Sequence, residues 1–91
     1  MSEKNWVAYL LRCSDNSLYC GVSNNIEKRV TEHNSGMGAK YTRSRRPVVL
    51  VGTSRDMTKG EALKLEYRIK KLPAEIKIVE LEKWSSDISK K

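Results

Sequence analysis

Two apolar runs near the N-terminus, WVAYLLR at 6–12 and SLYCGV at 17–22, are separated by the turn-forming cluster C-S-D-N-S. No other feature constrains the chain as tightly. Strands joined this closely form an antiparallel hairpin, and the loop length decides which residues face each other. A three-residue loop of Ser14, Asp15 and Asn16 puts Asn16 in the left-handed conformation that asparagine tolerates. It pairs Cys13 with Ser17, hence Leu11 with Tyr19 and Tyr9 with Gly21. Both tyrosines then stand on one face, and Gly21 leaves open space beside the Tyr9 ring. A four-residue loop would shift the register by one and separate the tyrosines to opposite faces.

After the hairpin, Asn24 or Asn25 can cap a helix over about 25–34, with Gly36 to end it. Residues 35–46 read as a loop rich in glycine and arginine. Pro47 opens PVVLVGT, whose unbroken apolar run predicts a buried third strand. Thr58 and Glu61 have the spacing of a capping box for a helix reaching about Leu72. Pro73 interrupts that helix and starts another over about 74–84. The expectation is one domain over 1–84 and a polar, frayed tail, SSDISKK, over 85–91.

The helices carry an anomaly. At helical spacing the first places Ile26, Arg29, Val30 and His33 on one stripe. The second places Ala62, Leu65, Glu66 and Ile69 on another. An arginine, the single histidine and a glutamate thus face inward from two helices. Buried charge is expensive, so these groups must be paired or line a wet cleft. One reading is a structural Arg29–Glu66 ion pair with His33 hydrogen-bonded nearby; the other is a functional site.

Lys and Arg total 18 against 11 acids, a formal charge of +7. From Gly36 to Arg55 there is no acid, whereas Lys40, Arg43, Arg45, Arg46 and Arg55 fall there. Concentrated positive charge favours nucleic acid as a partner over a membrane surface, for which no long basic amphipathic helix is present. No apolar run approaches a membrane span, and MSEKNWVAYLL lacks the pattern of a signal peptide, so the expected location is the cytoplasm. Cys13 and Cys20 with one histidine are too few for a closed zinc site and read as reduced packing residues.

Tyr9 in VAYLL, Tyr19 in Y-C-G ten residues on, and Arg29 ten further together resemble the GIY-YIG nuclease module. His33 matches a position held there by His or Tyr, and Glu66 in A-L-K-L-E-Y is similar to the family's metal-binding glutamate. H-N-S-G-M-G-A-K-Y-T-R-S-R-R-P resembles the short stand-alone bacterial members. The likeness covers about Trp6 to Leu72. It departs from the family in A-Y-L for the first motif, in Val22 where some members carry a lysine, and in a late asparagine that is not evident.

The resemblance implies an α+β fold, a three-stranded antiparallel sheet flanked by helices in the order β-β-α-β-α-α. It implies an endonuclease with catalytic residues Tyr9, Tyr19, Arg29, His33 and Glu66. Glu66 would supply the one carboxylate for a Mg²⁺ or Mn²⁺ ion. Lys40, Arg43, Arg45 and Arg46 would grip backbone phosphates of DNA, taken ahead of RNA, with repair or recombination proteins as further partners. Two other functions fit the residues: a catalytically weak nucleic-acid-binding module, and a small interaction domain held by a structural Arg29–Glu66 pair.

Overall fold

The computed structural model describes residues 4–85. Most of the tail expected to fray, 86–91, lies outside them. The elements are β1 (Val7–Arg12), β2 (Leu18–Ser23), α1 (Ile26–Asn34), α2 (Lys40–Arg43), β3 (Val49–Thr53), α3 (Lys59–Lys70) and α4 (Ala74–Glu82). The expected order holds, with one addition. The single helical turn α2 interrupts the stretch read as loop, and four residues are too few to show apolar periodicity.

The hairpin turn has the expected three residues. Asn16 adopts φ 73°, and the Cys13 N–H donates to the Ser17 carbonyl at 2.9 Å. Tyr9 consequently faces Gly21, and Leu11 faces Tyr19. Both neighbours of β1 are antiparallel to it, in the order β2-β1-β3, so β1 is the central strand. Its side chains alternate between two cores. Ala8 and Leu10 join Cys20, Met57, Ala62, Leu65, Ile69 and Leu81 beneath α3 and α4. Tyr9 and Leu11 join Cys13 and Val48 on the opposite face, against Tyr19 and, from α1, Ile26 and Val30.

The third strand corrects the sequence expectation. It is an edge strand, half-covered rather than buried, with Val49 64% exposed. Val51 packs on the α3–α4 core, while Leu50 borders an open hollow beside Ile26 and Val30. An apolar run reports hydrophobic content and not the number of neighbouring strands. The Asn34 amide ties this strand to α1: its Oδ1 accepts from the Val48 N–H at 2.7 Å and its Nδ2 donates to the Val48 carbonyl at 3.0 Å.

Asn25 caps α1, its side chain accepting from Lys28 N–H, and Gly36 follows the helix end at φ 88°. The capping box of α3 forms in both directions between Thr58 and Glu61. At the α3–α4 elbow, the Lys77 ammonium donates to the carbonyls of Ile69 and Lys70 at 2.9 and 3.1 Å, satisfying groups the helix end leaves free.

Candidate active site

The hairpin register brings the tyrosine rings to 6.5 Å, centroid to centroid, on the face that α1 covers. Space for the Tyr9 ring exists because Gly21 lies opposite. A Cβ there would stand 2.5 Å from the Tyr9 hydroxyl oxygen. From α1, His33 enters the same cluster fully buried, 5.3 Å from the Tyr19 ring in an edge arrangement. Its Nε2 lies 2.9 Å from the Tyr9 hydroxyl and its Nδ1 lies 2.8 Å from the Thr42 hydroxyl. No buried side-chain polar atom among the described residues lacks a partner.

Burial pushes the Tyr9 phenol up to about 12, against a smaller opposing pull from the Arg29 guanidinium beside it. Burial also holds His33 below its ordinary range, and the Arg29 charge adds to that effect. A neutral imidazole therefore faces a protonated phenol at neutral pH. Arg29 itself is 32% exposed and lines an open hollow with Trp6, Val22 and Lys28. One end of the cluster is sealed, and the arginine at the other end meets solvent.

The Arg29–Glu66 ion pair considered from the sequence does not form. Arg29 pairs with Glu32 and Glu66 with Lys70, each at 3.1 Å. In both cases a partner one turn away on the same helix is closer than any across the fold. Glu66 is 18% exposed, and its partner Lys70 stands 5.9 Å from the Tyr19 ring centroid. Lys70 thus reaches the tyrosine face around the edge strand β2. It brings a cation to Tyr19, whereas Val22 packs on the apolar core.

No cluster of three metal-ligating side chains occurs among the described residues. A lone, partly exposed carboxylate does not fit zinc, which takes three or four protein ligands. It does fit Mg²⁺ or Mn²⁺, hard ions bound through one or two carboxylates, waters and substrate phosphate. Cys13 and Cys20 are free and buried, and burial pushes the Cys20 thiol up to about 12, which leaves it inert.

The four expected phosphate-gripping cations divide. Arg45 is engaged internally: its Nε donates to Asp15 at 2.9 Å, its Nη1 donates to the Tyr41 carbonyl, and its guanidinium covers the Tyr41 ring at 3.9 Å. Tyr41 in turn stacks on Tyr19 with 5.9 Å between centroids. Arg46 donates to the Arg43 carbonyl at 2.9 Å. Lys40 and Arg43 are exposed and carry no ion pair among the described residues. Arg43 and Arg46 border an open hollow of about 550 Å³ beside Asn34 and Pro47.

Thr42 is the site residue that the sequence reading missed. It sits in a single helical turn, nine residues past His33, where no periodicity links the two. The available signal was the pair of small residues ahead of it, Gly38 and Ala39, which permit close approach. Gly38 packs directly on His33.

With this geometry in view, comparison with known proteins defines the class. Residues 5–78 match the family model described as the GIY-YIG catalytic domain. The chain belongs to the GIY-YIG nuclease family. Its relatives include a UPF0213 protein of Nitratidesulfovibrio vulgaris, 49% identical over 77 residues, or 85% of this chain and 70% of that one. A UPF0213 protein of Oceanobacillus iheyensis is 45% identical over 90% of this chain and 96% of its own. Among solved structures, a protein of E. faecalis determined by solution NMR is 38% identical, with a TM-score of 0.61 over 100% of this chain and 98% of that one. The sequence-derived family resemblance and the α+β fold both stand.

Proposed function

We propose that the chain is a metal-dependent endonuclease that hydrolyses phosphodiester bonds in DNA at nicked, branched or single-stranded places. One observation carries this reading: the 2.9 Å contact between the Tyr9 hydroxyl and Nε2 of a buried, neutral histidine. A proton acceptor and a phosphate-binding arginine then adjoin the same tyrosine. Because a phenol near 12 is almost wholly protonated at neutral pH, Tyr9 acts by relay, taking a proton from the attacking water as its own moves to His33. Tyr19 orients that water. Arg29 offers its planar fork to the non-bridging oxygens as negative charge builds in the transition state. Lysine in its place keeps the charge and loses the fork.

Glu66 would hold the Mg²⁺ or Mn²⁺ ion, releasing Lys70 from its ion pair. When bound, that ion polarises the phosphate and stabilises the leaving oxygen. Lys40 and Arg43, with Arg45 and Arg46 beside them, contact backbone phosphates, giving salt-sensitive binding with little sequence reading. The products are a 5′-phosphate and a 3′-hydroxyl. The nuclease unit is a single domain over 1–84, acting in the cytoplasm on DNA in preference to RNA, alongside repair or recombination proteins. No described helix is long and apolar enough to cross a membrane.

A second reading keeps the fold and charge without the rate: a nucleic-acid-binding module. The Glu66–Lys70 ion pair favours it, because that carboxylate already has a cation. Labelled nicked, branched and single-stranded DNA and RNA, incubated with EDTA, Mg²⁺ or Mn²⁺ at low salt, separate the two. The nuclease cleaves only with metal, and Glu66→Gln lowers the rate by roughly 10³-fold while binding persists. Binding without cleavage in any metal selects the second reading.

A further inference from the structure

Thr42 lies in the stretch that resembles the short bacterial members, but that resemblance gives it no role; it is fully buried and touches the chain's single histidine. Its hydroxyl donates to the Ala39 carbonyl at 2.9 Å and lies 2.8 Å from His33 Nδ1. A hydroxyl has one proton and two lone pairs. When that proton goes to the Ala39 carbonyl, only a lone pair remains for the ring, and Nδ1 then carries the hydrogen. Tyr9 gives the same answer from the other end. Its oxygen lies 2.9 Å from Nε2, and the Arg29 guanidinium, also beside it, has only donors to offer. The Tyr9 proton therefore points at Nε2, and a neutral ring accepts there only when Nδ1 holds its hydrogen.

We infer that Thr42 is a positioning residue that locks His33 as the Nδ1–H tautomer and aims its Nε2 lone pair at the Tyr9 hydroxyl. The segment carrying Thr42 is shaped for this. Gly38 lies so close to His33 that a Cβ would overlap the ring and backbone, and Ala39, the residue preceding α2, supplies the accepting carbonyl. The outer side of G-A-K-Y-T presents Lys40 to solvent, and its inner side seats the histidine. In the reaction, the water oxygen forms the new P–O bond as its O–H bond breaks. That proton passes to the Tyr9 oxygen while the Tyr9 proton moves to Nε2. The bond from phosphorus to the 3′-oxygen breaks with its electron pair, the 3′-oxygen takes a proton from solvent, and the imidazolium later returns one. The effect on rate rests on the nuclease reading; the tautomer does not.

Because the chain has one histidine, long-range proton–nitrogen NMR on the ¹⁵N-labelled full chain reads this tautomer directly. At neutral pH the wild type is expected to carry hydrogen on Nδ1 with Nε2 bare, and Thr42→Ser keeps that pattern. Thr42→Val shifts hydrogen towards Nε2. Cleavage by Thr42→Val falls about a hundredfold in kcat at unchanged KM, and Thr42→Ser restores most of it. A wild-type ring protonated at Nε2 overturns the proposal whatever the variants do. So does a folded Thr42→Val, or Thr42→Ala where the valine variant does not fold, that keeps the Nδ1 signature. If the tautomer responds as expected but the protein never cleaves, the nuclease reading fails and the hold of Thr42 on the ring stands.

Discussion

The two faces of the sheet are built on different principles, although both hang on the same central strand. Beneath α3 and α4, Ala8 and Leu10 meet Cys20, Ala62, Leu65 and Ile69 in a core of apolar contacts. On the α1 side, a hydrogen-bonded chain runs from Tyr9 to His33 at 2.9 Å and from His33 to Thr42 at 2.8 Å. Apolar packing is non-directional and tolerates exchange of one well-fitting side chain for another. A buried hydrogen-bonded chain tolerates little, since each lost partner strands another polar group. The first face should therefore govern stability, and the second should govern proton transfer.

That contrast can be broken most forcefully at Gly21. In Gly21→Ala the new methyl would stand 2.5 Å from the Tyr9 oxygen, so the ring must leave His33. Single-turnover cleavage is expected to fall by about 10²-fold, with a stability loss of about 1–3 kcal/mol in urea unfolding. Leu65→Ala tests the other face. It removes a side chain that is 4% exposed and belongs to the apolar cluster beneath α3 and α4. The expected cost is about 2–5 kcal/mol in unfolding free energy, while the Tyr9–His33–Thr42 hydrogen bonds persist at temperatures where the protein stays folded.

The smallest effect comes from pH. Burial and the Arg29 charge depress the folded-state pKa of His33 below its ordinary 6.5. Glu32 opposes them weakly from the same helix, while Tyr9 and Tyr19 face the ring from the hairpin and Thr42 from α2. The unfolded chain thus binds the proton more readily than the folded one. This contribution to stability is present above the unfolded value and lost as pH falls through the folded value. The proton-accepting ring disappears over the same range. The thermal unfolding midpoint and the cleavage rate should both fall on acidification below about 6.5, and His33→Gln should flatten the histidine-linked part of the stability change.

Much of the polar face was legible in the sequence, because register and helical period are local rules. Asn16 and Gly21 mark the turn and the gap beside Tyr9, and the stripe through Ile26 and Val30 carries His33 to the same face. Thr58 and Glu61 announce the start of α3 equally plainly. What stayed hidden depends on choices between neighbours. Spacing shows that Arg29 and Glu66 face inward, but not that Glu32 and Lys70 are nearer partners than each other. Charge counting marks Arg45 as free, whereas the hairpin turn brings Asp15 against it. The edge position of β3 and the contact from Thr42 to His33 are set by tertiary assembly, for which a run of residues carries no period.

The measurement that bears most directly on the contrast between the faces is single-turnover cleavage by wild type and Tyr9→Phe. It uses labelled nicked or branched DNA with Mg²⁺, alongside binding to the same DNA in EDTA. Tyr9→Phe keeps the ring and deletes only the hydroxyl that meets His33 Nε2. The expected result is metal-dependent cleavage by wild type, a loss of 10²-fold or more (roughly) in the variant, and equal binding. Equal cleavage rates would remove the tyrosine–histidine pair from the chemistry, and wild-type binding without cleavage would contradict the nuclease reading itself.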